Sequence, residues 1–122
     1  MKQNIIIEKS FLFAVRIVKA CKHLSEKKKE YILSKQLLRS GTSIGANTEE
    51  AIGGQSKADF KAKLSIAYKE ARETSFWIRL LYATDYISKK EFDSLFADVE
   101  ELSKILYSII NTTTNSTSKK IN

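Results

Sequence analysis

Residues 39–60 read RSGTSIGANTEEAIGGQSKADF, from Arg39 to Phe60, and this stretch decides the fold. It sets glycine and hydroxyl side chains on what should be the inner side of a helix, breaks at Gly53-Gly54, and opens a second helix. Gly41 and Gly45 stand one turn apart. Each costs about 1 kcal/mol relative to alanine inside a helix, so the pair makes sense where another helix backbone comes very close. Gly53 and Gly54 are expected to end the helix, because glycine takes the left-handed cap conformation without a Cβ penalty. The GGQSK string lacks the Gly-x4-Gly-Lys-Ser/Thr spacing of a phosphate loop and lies between helices rather than after a strand, which excludes that reading. Ser56 then caps the next helix, with Asp59 in the capping-box position.

Upstream, the helix containing this stretch is predicted over 26–52, with Ser25 as its N-cap and Glu26 suiting the positive helix end. Its inner stripe is Leu33, Leu37, Ser40, Ile44, Asn47 and Ala51. Beside it runs a polar row of Gln36, Arg39, Ser43, Asn47 and Glu50 that admits two readings. One is a hydrogen-bonded layer that fixes helix register; the other is a ligand-binding surface. A helix over 57–83 carries apolar residues on two sides, and Glu70 and Glu73 beside Trp77 are expected to be partly buried against Arg39 or Arg72. In the first helix, 6–24, Phe11, Ala14, Val15, Val18 and Cys21 form one stripe and Phe13, Ile17, Ala20 and Leu24 a second. Ser88 with Glu91 is a capping box that opens a fourth helix over 89–111. Short connections and the absence of period-two alternation predict an all-α, antiparallel up-down-up-down four-helix bundle over residues 1–112. Residues 113–122, polar and low in complexity, are expected to be a disordered tail.

The 122 residues suit one domain, and the chain has no proline. It has no apolar run long enough to span a membrane, and the start MKQNIIIEKSF is too short in apolar residues for a secretory core. A single cysteine, Cys21, excludes an intrachain disulfide and suits the reducing cytoplasm. The net charge is +7, unevenly spread: residues 1–36 hold nine Lys/Arg against three acids, whereas 84–112 hold three against six. Such polarity attracts a polyanion or lets one subunit's basic end meet another's acidic end. The candidate phosphate contacts are Lys9, Arg16, Lys19, Lys27, Lys28, Lys29, Lys61 and Arg72, which are otherwise a solvated face.

Catalysis has little to stand on. A di-metal bundle site needs Glu-x-x-His pairs on facing helices, and the single histidine, His23, has no glutamate three residues before it. Glu70-x-x-Glu73 reads as an ion-pair element, and Cys21 on an apolar stripe reads as a small hydrophobe rather than a nucleophile. No enzyme, metal or cofactor is expected.

The run Arg39-Ser40-Gly41-x-Ser43-Ile44-Gly45-Ala46-Asn47, followed by Glu50 and by Ser56-Lys57-x-Asp59-Phe60, resembles the bacterial four-helix bundle proteins related to those encoded in intervening sequences of 23S rRNA genes. Lys69-Glu70-Ala71-Arg72-Glu73-Thr74 with Trp77 is similar to that family's third-helix pattern, and the likeness covers residues 8–110. Thr48 and Ala51 depart from the more usual Asn-Ile-x-Glu-Gly ending. The resemblance implies a left-handed bundle and a ring-shaped homo-oligomer, a pentamer. The chain is also similar to the accessory proteins of diversity-generating retroelements, basic bundles that engage nucleic acid and a reverse transcriptase. The resemblance supplies no enzymatic activity. Two function classes follow: a weakly sequence-specific binder of RNA or DNA with mostly core-placed aromatics, or a homo-oligomeric adaptor for a protein partner.

Overall fold

Apolar residues recur at helical spacing through four segments, and each becomes a helix: α1 Lys2–Glu26, α2 Leu33–Ile52, α3 Lys57–Ala83 and α4 Lys89–Ile121. The structure, a computed structural model, describes residues 2–121, with side chains described for residues 4–115. α2 packs on α1 and α3, and α4 packs on α3 and α1, while the diagonal pairs do not meet. At every seam the contacts run in opposite sequence order. Gly41 faces Ile17 and Gly45 faces Ser10; Arg39 reaches Glu73 and Glu50 reaches Lys63. Tyr68 packs on Tyr107 and Tyr82 on Phe92; Lys9 pairs with Glu101 and Arg16 with Asp98. All four neighbours are therefore antiparallel, the up-down-up-down arrangement that the short connections predict. Phe13, Ile17, Leu24, Leu37, Ile44, Leu64, Ile78, Leu81, Val99, Leu102 and Leu106 fill the core, each contributing roughly 1.5–3 kcal/mol through burial.

The wide apolar arc of α1 is divided between two environments. Phe13, Ile17 and Leu24 are enclosed, but Phe11 is 63% exposed, Leu12 55%, Val18 42% and Val15 36%. Of the stripe that begins at Phe11, only Cys21 is buried.

The start of α2 differs from the sequence expectation. Ser25 does not cap it; its hydroxyl donates to the Lys22 carbonyl inside α1. The chain instead leaves α1 after Glu26, turns at Lys29 with φ 56°, and resumes as α2 at Leu33. Glu30 makes the restart: its buried carboxylate accepts the amide hydrogens of Ile32 and Leu33, both at 3.0 Å, and its carbonyl accepts the Ser34 hydroxyl at 2.8 Å. A carboxylate at the positive end of a helix supplies what the Lys27–Lys29 run cannot. Glu30→Ala should cost about 1 kcal/mol, the scale of a lost cap, and Glu30→Gln less, since one acceptor oxygen survives. Urea midpoints of the two variants would check this; equal midpoints for wild type and Glu30→Ala would contradict it.

At the other end of α2, Gly53 has φ −82° and no glycine among the described residues has a positive φ. The left-handed cap expected there is absent because a tight turn closes the helix: the Gly53 amide donates to the Glu49 carbonyl and the Gly54 amide to Ala51. Gly54 is needed for space, since a Cβ there would meet the Ala51 oxygen at 3.1 Å. Ser56 caps α3 by accepting the Asp59 amide at 3.1 Å. The Ser88–Glu91 capping box closes in both directions, at 2.9 and 3.1 Å. Those bonds hold the Glu91 carboxyl below its usual range, so its contribution to α4 is present at neutral pH and lost as acid protonates it. α4 continues as helix through 113–121, where the sequence predicts a disordered tail. Thr112, Thr113 and Thr114 accommodate this by returning their hydroxyls to the carbonyls of Ser108, Ile109 and Ile110 at 2.9–3.0 Å.

Candidate functional site

The two helix-interior glycines bring α2 against α1. A Cβ on Gly41 would lie 2.8 Å from both Cγ1 and Cγ2 of Ile17, and one on Gly45 would lie 3.3 Å from the Ser10 carbonyl oxygen. On its other side α2 meets α3 through Ser40 and Thr74, both fully buried. The Thr74 hydroxyl is shared between Ser40 Oγ at 2.9 Å and the Glu70 carbonyl at 2.7 Å. Small side chains therefore line both flanks of α2.

The polar row does not gather into one layer. Arg39 sits at the α2–α3 seam, where its guanidinium donates to Gln36 Oε1 at 3.1 and 3.3 Å, to Glu70 at 3.4 Å, and to Glu73. The Trp77 indole nitrogen donates to the same Glu73 oxygen at 3.1 Å. Arg39 thus engages both Glu70 and Glu73, while Glu50 pairs with Lys63 at 3.0 Å. Asn47 folds back to the Ser43 carbonyl at 2.9 Å. Half of the Arg39 side chain is exposed, so the cluster lies on the rim of the bundle rather than within it. Apart from the Glu30 carboxylate, the enclosed polar side chains among the described residues are hydroxyls: Ser10, Ser34, Ser40, Thr48, Thr74, Ser75 and Ser103. Sequence reasoning found Ser40 but missed Thr48 and Thr74, which return their protons to the carbonyl one turn back and so resemble small apolar residues.

The cations divide into two groups. Lys9 pairs with Glu101 at 3.2 Å, Arg16 with Asp98 at 2.5 Å and with Ser94, and Arg72 with Glu100 at 3.9 Å. These three of the expected phosphate contacts are held by the acidic face of α4, which lies between α1 and α3. Lys19, Lys27, Lys28, Lys29 and Lys61 make no ion pair among the described residues, and neither do Lys22 and Lys35 nearby. Lys27 to Lys29 occupy the α1–α2 connection, so this end of the bundle presents lysines without ion-pair partners, with Glu91 of α4 near enough to feel the charge of Lys28. The exposed Tyr31 and Ile32 adjoin it.

Burial pushes the Cys21 thiol up to about 11, and it donates to the Ser34 carbonyl at 3.2 Å. It is therefore protonated at neutral pH, the wrong state for a nucleophile. No group of three or more His, Cys, Asp or Glu is placed to hold a metal, and no helix is long and apolar enough to cross a membrane, among the described residues.

Comparison with known proteins agrees with this architecture. Residues 2–108 match the family described as 23S rRNA-intervening sequence protein. Among solved structures, the chain is similar to a protein of unknown function from the S23 ribosomal protein family of Bacteroides thetaiotaomicron VPI-5482. The two are 52% identical with a TM-score of 0.90, over 91% of this chain and 99% of that one. No curated protein matches. A shared fold over nearly the whole chain, together with the Arg39–Phe60 pattern, leads to one assignment: the chain belongs to the 23S rRNA-intervening sequence protein family.

Proposed function

We propose that the protein is a non-enzymatic, homo-oligomeric accessory factor that binds RNA or DNA phosphates with weak sequence preference. The observation that carries this reading is the set of lysines without ion pairs at the α1–α2 end, from Lys19 and Lys22 through Lys27, Lys28 and Lys29 to Lys35. Lysines spaced along a surface track a phosphate backbone without reading bases. The non-enzymatic part rests on a protonated Cys21 and on Glu70 and Glu73 being engaged by Arg39 and Trp77. A reduced, buried thiol suits a cytoplasmic location.

Electrophoretic mobility shift with a structured RNA and with duplex DNA at rising salt tests the proposal. Binding should weaken steeply as salt rises. Changing Lys27, Lys28 and Lys29 together to glutamine should lower the slope of log affinity against log salt by about 2–3, from about 0.7–0.9 per phosphate contact. No shift with either polymer at low salt would overturn it. The exposed Phe11, Val15 and Val18 of α1 favour a second reading, an oligomeric adaptor for a protein partner. Under either reading the oligomer is proposed as a ring of five, following the resemblance.

A further inference from the structure

Between α3 and α4 lies an open groove of about 280 Å³. Tyr68, Arg72, Glu100, Ser103, Lys104 and Tyr107 line it. Tyr107 is 55% exposed, although a large aromatic ring is an expensive group to leave in water. Tyr68 is half-buried against the core and supports that ring from behind, with centroids 5.9 Å apart and planes at 43°. The sequence places the aromatics mostly in the core; Tyr107 is one that stands outside it.

The polar members suit the same ligand. Ser75 donates to Glu100 at 3.3 Å and Arg72 approaches the same oxygen at 3.9 Å, so the one carboxylate is engaged and Arg72 is oriented along the rim. Lys104 makes no ion pair among the described residues. Ser103 is the most buried residue of the lining, 5% exposed, and its hydroxyl has no hydrogen-bond partner among the described residues. A buried hydroxyl without a partner is uncommon and asks for an external donor or acceptor. Along α3, Lys61, Tyr68, Arg72 and Arg79 are spaced by seven, four and seven residues and share one face. That row spans about 27 Å at helical rise, longer than a single nucleotide and suited to an extended strand.

We propose that this groove holds an unpaired nucleotide of a single-stranded nucleic acid. The base stacks on Tyr107 with an edge toward Ser103, and the backbone phosphates run past Lys104, Arg72 and Lys61. A duplex hides its base faces within the stack and cannot use the ring, whereas any unpaired base can. The inference rests on the nucleic-acid reading above but assigns a different surface from the lysine end.

The test is fluorescence anisotropy with a labelled oligouridylate, the matching oligodeoxyuridylate and a duplex of equal length. Tyr107→Ala should weaken single-strand binding roughly tenfold, within the range for one lost base stack. Tyr107→Phe should stay near wild type, and neither should alter duplex binding. Lys104→Gln should flatten the salt dependence on single strands. The tighter of the two oligonucleotides identifies RNA or DNA as the source, since only the former has a 2′-hydroxyl. Melting curves should show both tyrosine variants folded, as the ring is largely outside the core. Wild type that binds single strands while Tyr107→Ala binds them equally well overturns the groove and leaves the lysine surface standing. A protein that binds neither single strands nor duplex at low salt overturns both.

Discussion

Gly41→Leu is expected to give a chain with no cooperative thermal transition. A first side-chain carbon at that position would already sit 2.8 Å from two carbons of Ile17. Ile17 is 0% exposed and branched at Cβ, so in a helix it has one preferred rotamer and nowhere to turn. The alternative is for α1 to move away, but the same helix is held one turn along α2, where the Ser10 carbonyl rests over Gly45. Overpacking of a filled core costs about 1–3 kcal/mol for small insertions. Leucine inserts a whole branched side chain, against a total stability of about 5–15 kcal/mol for an ordinary domain. Gly41→Ala separates the terms: the helix gains about 1 kcal/mol in propensity, yet the Ile17 contact should leave it less stable than wild type. Circular dichroism on heating decides. An unchanged melting temperature in Gly41→Leu would refute the close approach of α1 and α2.

Substituting Phe11 and Val15 together by aspartate is expected to lower the particle mass about fivefold toward the 13.9 kDa of one chain, while helix content stays as in wild type. Both side chains stand on the side of α1 opposite the enclosed Phe13 and Ile17, so charge placed there leaves the core intact. Burying such a ridge between subunits would contribute about 25 cal/mol for each Å² of apolar surface removed from water. Two carboxylates facing an apolar neighbour would reverse that gain. Light scattering after size exclusion measures the outcome. If the doubly substituted protein keeps its mass, the ridge is not the contact; if wild type is already a monomer, the ring is withdrawn.

The four helices and their pairing were legible because long amphipathic segments with short connections leave few arrangements. The seam between α1 and α2 was legible for a narrower reason: Gly41 and Gly45 cost helix propensity, and close approach is what such a cost signals. Three features were not. The α2 restart depends on Glu30 turning inward, and a glutamate after three lysines reads as one more surface charge. Periodicity gave α1 a wide apolar arc, but which half faces the core is settled by α2 and α4, so Phe11 and Phe13 looked alike. The ion pairs of Lys9, Arg16 and Arg72 depend on which helix lies beside which, and composition shows only that α4 is acidic. Likewise Tyr68 is one more apolar-face residue of the two-sided third helix, and nothing local marked Tyr107 as its exposed partner.

The ion pairs at the α1–α4 seam also bear on how the chain comes together. Lys9 and Glu101 are 92 positions apart, and Arg16 and Asp98 are 82 apart, so joining them closes nearly the entire polypeptide into a loop. Entropy makes such a late, distant encounter the hardest to form. Opposite charges attract across about 10 Å in ordinary buffer, beyond the reach of apolar contact. The last helix is thereby drawn toward the first before their greasy surfaces touch, and dissolved electrolyte sets how strongly that guidance acts.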